Sequence, residues 1–195
     1  GTLGGAATPV RAPHDPVRDG STLDVALTEQ LFDAQALSRH LDHAARWLRG
    51  KGVGHYTIGS AGHEGNAAVA AALAPGDPAL LHYRSGGFYL ARSALAGRAR
   101  LDGVRDVLAG MLSLTDEPIA GGRHKVFGHP ELDVIPQTST IASHLPRAVG
   151  VAFAIERARR LGVATRWSDD AIAVCSFGDA SVNHSTAQGA LNTAG

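Results

Sequence analysis

Apolar residues recur every three or four positions near the start of the chain, which predicts an amphipathic helix. The repeat starts at Leu27 and stops at Gly50-Lys51-Gly52, because glycine is typical of a helix end. Its members are Leu31, Phe32, Ala34, Leu37, Leu41, Ala44, Ala45 and Leu48. Residues 1–22 have no such period and are rich in Gly, Pro, Arg and Asp, so we predict an extended or mobile arm there.

The next stretch alternates between turns and short apolar segments. A glycine-rich turn at 59–65 leads into 66–73, which is apolar on nearly all positions and predicts a helix buried on most sides. Residues 80–83 predict a short strand, and two helices are predicted near 86–97 and 101–113.

The second half of the chain contains a long loop, two helices and a strand. Residues 115–143 have little periodic pattern, and loops of this length are more often functional than accidental. A helix is predicted from Pro146 to about Leu161, a fully buried strand over 171–177 and a helix over about 185–194.

These elements indicate an α/β fold, a parallel sheet flanked by helices. They supply too few strands for a complete doubly wound sheet, and the chain begins without Met. We therefore expect one α/β domain over 23–195 that is truncated at its C-terminal side.

Composition excludes several classes of partner. Lys plus Arg and Asp plus Glu number 18 each, so no overall charge attracts the chain to nucleic acid or to an anionic membrane. The longest apolar runs are too short for a membrane span. Cys175 is the single cysteine, which excludes an internal disulfide and favours a reducing, cytoplasmic location.

The strongest chemical signal follows the predicted strand 171–177. Gly178 and Asp179 stand where ligands bind in α/β sheets, at the carboxyl end of a strand. Glycine permits close approach of the backbone to a ligand, and a carboxylate suits Mg²⁺. The alternative is a tight turn in which Asp179 caps the following helix.

A second signal is His82-Tyr83-Arg84, which precedes a pair of glycines. The planar guanidinium of Arg84 suits phosphate oxygens, and Tyr83 offers a hydroxyl. The alternative is a tyrosine at a strand end beside a solvated arginine.

A third signal is the density of short hydroxyl side chains over 136–146, just before a helix that opens with Pro146. Such side chains carry loop carbonyls toward a ligand ring or a monovalent cation, or they simply cap the helix.

The ten histidines do not form a zinc motif. His40 and His43 are three positions apart without a third ligand, and Gly65 follows His63-Glu64 where a helical zinc motif would continue. We predict that His40 and His43 are surface residues. His124 and His129, in the long loop, are candidates for catalytic proton transfer.

The order of these motifs resembles one family. Along the chain come Gly62-His63-Glu64-Gly65, His82-Tyr83-Arg84, Gly121-Gly122-Arg123-His124, Thr138-Ser139-Thr140-Ile141 and Gly178-Asp179. They are similar to the alpha subunit of the thiamine-diphosphate-dependent decarboxylase component of 2-oxo acid dehydrogenases. The similarity is strongest to the branched-chain (2-oxoisovalerate) type and covers about residues 25–195.

The resemblance implies a thiamine-diphosphate-binding fold and specific roles for residues. Asp179 would be the magnesium ligand, and the side chain of Ile141 would hold the cofactor in its bent form. Tyr56 and Ile58 would line the 2-oxo acid pocket, and the hydroxyl-rich loop would hold a structural monovalent cation. The implied cofactor-binding residues are His82, Tyr83, Arg84, Ser139, Ile141, Gly178, Asp179 and Ala180.

The chain departs from the family pattern in two places. Ala180 stands where the third glycine of the signature is usual, which is tolerable if its φ is negative. The second magnesium ligand, an Asn about thirty residues after Gly-Asp, would fall beyond Gly195.

The implied activity is oxidative decarboxylation of a 2-oxo acid with transfer of the acyl group to a lipoyl carrier. The implied partners are a beta subunit or fused beta part, in an alpha2beta2-like heterotetramer, and a lipoyl acyltransferase. A nonoxidative enzyme with the same cofactor, for acetoin cleavage or carboligation, and a non-catalytic scaffold are the alternatives. The sequence does not identify the 2-oxo acid.

Overall fold

In the computed structural model, which describes residues 11–98, 101–119, 121 and 126–195, two short parallel strands lie among six helices. The helices are α1 (Val25–Gly50), α2 (Asn66–Ala72), α3 (Gly86–Leu95), α4 (Gly103–Met111), α5 (Leu145–Leu161) and α6 (Ser185–Ala194). The strands are β1 (Ala79–Leu80) and β2 (Val174–Cys175). Short 3₁₀ helices cover Pro130–Leu132 and Asp179–Asn183.

The first helix confirms the predicted amphipathic segment. The side chain of Asp24 caps it by accepting a hydrogen bond from the Leu27 N–H at 2.8 Å. It ends at Gly50, and Gly52 at φ +73° continues the turn in a conformation that glycine adopts without strain. Phe32, although part of the apolar repeat, is exposed, so the buried face is narrower than the repeat.

The positions of the other predicted helices are confirmed, but the burial of α2 is not. The prediction that α2 is buried on most sides is wrong, since only Ala67 and Ala70 are buried and Val69 is 42% exposed. The reason is that α2 packs only through one face, against α1 and α3. α5 carries Pro146 in its first turn, as predicted, and Gly162 at φ +63° follows its end.

The sheet is small and confirms a parallel arrangement. Ala79 pairs with Val174 and Leu80 with Cys175. Side chains alternate along β2, so Val174 packs on the cluster formed by α1–α4 while Cys175 packs on a second cluster between α5 and α6. The strands therefore separate two helical layers.

The prediction of a fully buried strand over 171–177 is wrong. β2 contains only two residues, both half-buried, and Ile172 is 58% exposed. In the described part of the chain β2 pairs with β1 alone, so its other edge is not covered by a strand. The predicted strand over 80–83 is likewise shorter, as β1, and begins one residue earlier.

The long predicted loop is mostly irregular, as expected, but it also extends the sheet. Ala79 N donates to Asp133 O at 2.9 Å, and Ile135 N donates to Ala79 O at 2.8 Å. Val134 thereby pairs with the free edge of β1. Because the loop is attached here, its later part is directed toward the carboxyl end of β1.

Residues 11–22, in the predicted arm, make backbone contacts with the start of α1. Val17 N donates to Leu23 O at 3.0 Å, and Val25 N donates to Asp15 O at 3.1 Å. The predicted domain boundary after residue 22 stays a prediction. No helix in the described ranges is both long enough and apolar enough to cross a bilayer.

Candidate functional site

The segments that follow β1 and β2 lie side by side and bring together residues 94 positions apart. His82 N donates to Ser176 Oγ at 2.9 Å, and the hydroxyls of Ser85 and Ser176 are also 2.9 Å apart. A Cβ atom built on Gly178 would lie 3.6 Å from His82 Nε2. The carboxyl ends of the two strands thus form one polar edge, where α/β proteins bind ligands.

Three aromatic rings and a guanidinium stack along this edge. The rings of His63 and His82 are stacked, with centroids 4.8 Å apart and planes within 11°. The His82 ring in turn lies 3.9 Å from that of Tyr83, and the Arg84 guanidinium lies 5.4 Å from the Tyr83 centroid. Each side chain restricts the next, so the predicted His82-Tyr83-Arg84 motif is held in a defined arrangement.

The environment keeps His82 neutral. Burial is the main cause that lowers its pKa to about 4, and the nearby His63, His144 and Arg84 contribute to the shift. Its Nδ1 accepts a hydrogen bond from the Arg84 N–H at 3.2 Å. The backbone between His82 and Arg84 is thereby held in a tight turn.

The Arg84 side chain is anchored, contrary to the alternative of a solvated arginine. Its Nη1 donates to Gly59 O at 2.7 Å. The loop that carries Gly59 is held in turn by Asp42 of α1, whose Oδ2 accepts from Ser60 N at 2.8 Å and Ser60 Oγ at 2.9 Å. A Cβ on Gly59 would lie 3.1 Å from Asp42 Oδ2, so the absence of a side chain permits this close approach.

Asp42→Ala is expected to lower the free energy of unfolding by about 2 kcal/mol, because it leaves a buried N–H and hydroxyl of Ser60 without an acceptor. The measurement is urea denaturation of wild type and variant, compared at equal m-value. Asp33→Ala, an exposed aspartate of the same helix, is the matched control and is expected to change the stability by less than about 0.5 kcal/mol. Equal stabilities of the Asp42 and Asp33 variants would contradict the structural role of Asp42.

Asp179 is exposed at the start of its 3₁₀ segment and does not act as a helix cap. The side chain of His184 has that function for α6, because its Nδ1 accepts from Thr186 N at 3.2 Å. Within the described ranges, the Asp179 carboxylate accepts no hydrogen bond, so its oxygens are available to a ligand.

An open cavity of about 620 Å³ adjoins this carboxylate. Its polar wall contains His63, Asn66 and Ser176 beside Asp179, and its apolar wall includes Val69 and Phe88. A cavity of this size is within the range that holds a small organic ligand.

The turn that contains Gly178 and Asp179 accommodates the departure at Ala180. Ala180 is not among the residues with positive φ, since it lies in the 3₁₀ segment. Alanine in place of the family's usual glycine therefore causes no backbone strain here.

The hydroxyl-rich loop presents Ile141 to solvent. Ala142 has φ +61°, an unfavourable conformation for alanine, and is fully buried in the second hydrophobic cluster. Its neighbour Ile141 is 53% exposed, whereas Ser139 is half-buried. Ser143 Oγ donates to Thr140 O at 2.9 Å, and no side chain caps α5, so this hydroxyl stabilises the loop rather than the helix.

The same loop contains two buried acceptors. His144 Nε2 lies 2.8 Å from Ser176 O, which identifies Nε2 as the protonated nitrogen and leaves Nδ1 as an acceptor. Burial lowers the pKa of His144. In the described part of the chain, His144 Nδ1 and Gln137 Oε1 are buried without a hydrogen-bond partner. Such atoms indicate a donor or a cation that the described residues do not supply.

The remaining predicted site residues lie elsewhere or outside the described ranges. Tyr56 and Ile58 are not among the residues that line the cavity beside Asp179. His129 Nδ1 accepts from Glu131 N at 3.2 Å and caps the 3₁₀ segment Pro130–Leu132. His124 falls outside the described residues. His40 and His43 are exposed, which confirms the prediction that they are surface residues.

His63, Ser176 and Asp42 were not predicted as site residues from the sequence. His63 belongs to the motif Gly62-His63-Glu64-Gly65 of the family resemblance, and its position in a glycine-rich turn was a signal of proximity to a ligand. Ser176 carried no such signal, because its role depends on contacts with His82 and Ser85.

Neither a metal cluster nor a redox centre is formed by the described side chains alone. No group of three or more His, Cys, Asp or Glu residues among them could hold a metal ion. Burial raises the pKa of Cys175 to about 12, so this thiol stays protonated. A metal at Asp179 would therefore need further oxygen ligands besides this carboxylate, and phosphate oxygens and water are usual ligands of Mg²⁺.

Comparison with known proteins identifies a family. The family model described as the dehydrogenase E1 component matches residues 33–195, which include every element of this site. No curated protein matches the chain.

Proposed function

Since this chain belongs to the dehydrogenase E1 component family, we propose that it supplies the diphosphate- and Mg²⁺-binding part of an enzyme that oxidatively decarboxylates a 2-oxo acid. The family is thiamine-diphosphate dependent and acts in 2-oxo acid decarboxylation. The proposed product is an acyl group on a lipoyl carrier. We further propose that the substrate is a branched-chain 2-oxo acid, and this proposal rests on the sequence resemblance alone.

One observation carries the proposal, namely the meeting of an arginine and an unengaged carboxylate at a common sheet edge. Arg84 follows β1 and Asp179 follows β2, and the charges of both act on the pKa of His63, Arg84 to lower it and Asp179 to raise it. A cation for phosphate oxygens and a carboxylate for Mg²⁺ fit the two charges of a metal–diphosphate group. The exposed Asp179 carboxylate accepts no hydrogen bond among the described residues, so packing does not account for it, which is the argument against a non-catalytic scaffold.

The residues of the chain would hold and orient the cofactor. Thiamine diphosphate supplies the carbanion-stabilising chemistry of the decarboxylation. Arg84 and Tyr83 would bind diphosphate oxygens, Asp179 would bind Mg²⁺, and the backbone at Gly178 and Ala180 would contact the diphosphate. Ser139 and Ile141 would lie under the aminopyrimidine ring, and His82 would support this arrangement as a neutral ring.

A structural monovalent cation near the hydroxyl-rich loop is part of the proposal. The unpartnered acceptors His144 Nδ1 and Gln137 Oε1 support it, since each of them would be satisfied by a cation or a donor.

The family generally works with a beta subunit and a lipoyl acyltransferase. We propose the same partners for this chain, in an alpha2beta2-like assembly in the cytoplasm, with the beta part separate or fused. Tyr56 and Ile58 would line the 2-oxo acid pocket in that assembly.

Calorimetric titration of the full-length protein with thiamine diphosphate, with and without Mg²⁺, tests the cofactor assignment. The expected result is saturable binding that requires Mg²⁺. Absence of binding under both conditions would overturn the assignment.

A second assay separates oxidative from nonoxidative use of the cofactor. Turnover of several 2-oxo acids is measured with a lipoyl acyltransferase and with an artificial electron acceptor. Lipoyl-dependent acyl transfer is expected, whereas release of carboligation products without any acceptor would support the nonoxidative alternative.

Ile141→Ala is expected to lower turnover by roughly tenfold or more at saturating cofactor, with a smaller change in cofactor affinity. The reason is that its exposed side chain would enforce the bent cofactor, so its loss affects the reactive geometry, and tenfold corresponds to about 1.4 kcal/mol. Steady-state kinetics at saturating thiamine diphosphate provide the measurement.

Val163→Ala, another exposed aliphatic residue, is the control for Ile141 and is expected to keep wild-type turnover. Wild-type turnover of the Ile141 variant would contradict the proposed role.

A further inference from the structure

His63 lies in the wall of the cavity beside Asp179, on the turn that precedes α2. The turn lies close to α3, because Gly87 has no side chain and a Cβ built there would lie only 2.6 Å from Glu64 O. Glu64 itself accepts from Gly62 N at 2.7 Å and pairs with Arg39 of α1 at 3.3 Å. The backbone on both sides of His63 is therefore fixed.

The His63 ring has a defined orientation as well. It stacks on the ring of His82, whose position is set by the hydrogen bond from His82 N to Ser176. Stacking leaves the ring edge, which carries both nitrogens, directed away from the contact face. Among the residues that the structure describes, neither ring nitrogen of His63 has a hydrogen-bond partner.

The charges around His63 match those proposed for cofactor binding. Burial lowers the pKa of His63, and the positive charge of Arg84 lowers it further, while Glu64 and Asp179 act in the opposite direction. A neutral imidazole keeps one N–H donor and adds no charge to the site. His63 lines the same cavity as Asp179, and it contacts His82, whose ring contacts Tyr83 next to Arg84.

We propose that His63 is a further cofactor-binding residue, which donates an imidazole N–H to a diphosphate oxygen of thiamine diphosphate beside Arg84. This inference rests on the proposed function of the site. It assigns to the glycine-rich turn before α2 a direct contact with the cofactor, in addition to the segments that follow β1 and β2.

Two substitutions separate the hydrogen bond from the ring stacking. His63→Phe keeps a ring that stacks on His82 but has no donor, whereas His63→Gln keeps an N–H donor without the ring. We expect His63→Phe to raise the Kd for thiamine diphosphate roughly tenfold and His63→Gln to stay within about threefold of wild type, as for one hydrogen bond to a charged group. His43→Phe, on the exposed face of α1, is the matched control and is expected to bind like wild type.

The affinities are measured by calorimetry on the full-length protein with Mg²⁺, for thiamine diphosphate and separately for inorganic pyrophosphate. A similar loss for both ligands in His63→Phe supports a diphosphate contact. Thermal unfolding without ligand checks that the variants are folded. If His63→Phe does not fold, His63→Gln provides the test, because a full loss of affinity in His63→Gln contradicts the donor role.

The outcomes distinguish this inference from the proposed function. Wild-type protein that binds no thiamine diphosphate overturns both. Wild-type binding together with unchanged affinity of His63→Phe, or with equal losses in the Phe and Gln variants, overturns only the assignment of His63.

Discussion

Asp179→Ala is expected to abolish the magnesium-dependent binding of thiamine diphosphate, with a rise in Kd of more than about 100-fold. Loss of an outer-shell partner of a metal costs roughly 10- to 100-fold, and Asp179 is proposed as a direct ligand. The fold should stay intact, because the carboxylate is exposed and accepts no hydrogen bond among the described residues. Calorimetric titration of the full-length protein across a range of Mg²⁺ concentrations provides the measurement.

The control for Asp179 is Asp170→Ala, which removes an exposed carboxylate from the segment before β2. Wild-type affinity and magnesium dependence are expected for that variant. If the Asp179 variant also binds cofactor and metal normally, the carboxylate has no ligand role and the proposed magnesium site is wrong.

Arg84→Ala is expected to weaken the binding of thiamine diphosphate by roughly 10- to 100-fold, which corresponds to about 1.5–3 kcal/mol for a lost charge-assisted contact. Part of the loss will be indirect, because Arg84 Nη1 also holds the Gly59 carbonyl at 2.7 Å. Arg84→Lys keeps the charge without the planar fork, so an intermediate affinity is expected for it. The measurement is the Kd by calorimetry in the presence of Mg²⁺.

Thermal unfolding without cofactor separates the two contributions of Arg84. A loss of affinity that exceeds any loss of unfolding free energy indicates direct contact with the ligand. Arg160→Ala, on the exposed last turn of α5, is the matched control and should bind like wild type. Unchanged affinity of Arg84→Ala would show that the arginine only anchors the Gly59 loop.

Local sequence patterns predicted the helices well, because the spacing of apolar residues and the capping residues act within a few positions. The end of α1 at Gly50 and the start of α5 around Pro146 follow from such local rules. Burial was predicted less well. The apolar composition of α2 and of residues 171–177 indicated full burial, yet burial depends on which elements cover a segment, and Val69 and Ile172 are exposed.

The candidate site was likewise predictable from the sequence only in part. Residue types and their order along the chain identified Tyr83, Arg84 and Asp179 as candidates, since each type suits the chemistry of phosphate or Mg²⁺. The contacts that hold these residues in place were not predictable from the sequence. The Asp42 carboxylate accepts a hydrogen bond from Ser60 and is buried on the same face of α1 as the apolar repeat. The apolar repeat gave no indication of a buried carboxylate on that face.

The sequence by itself determined the helices of the chain, its mixed helix and strand character, its lack of an internal disulfide and the family resemblance that the family match supports. Only the tertiary structure decided that Ser176 bonds His82, that His63 stacks beside them and that Gly59 binds Arg84. The physical reason is the range of the interactions. Helix periodicity and capping act between neighbours, whereas the site is assembled from four segments that meet only after the strands pair and the helices pack.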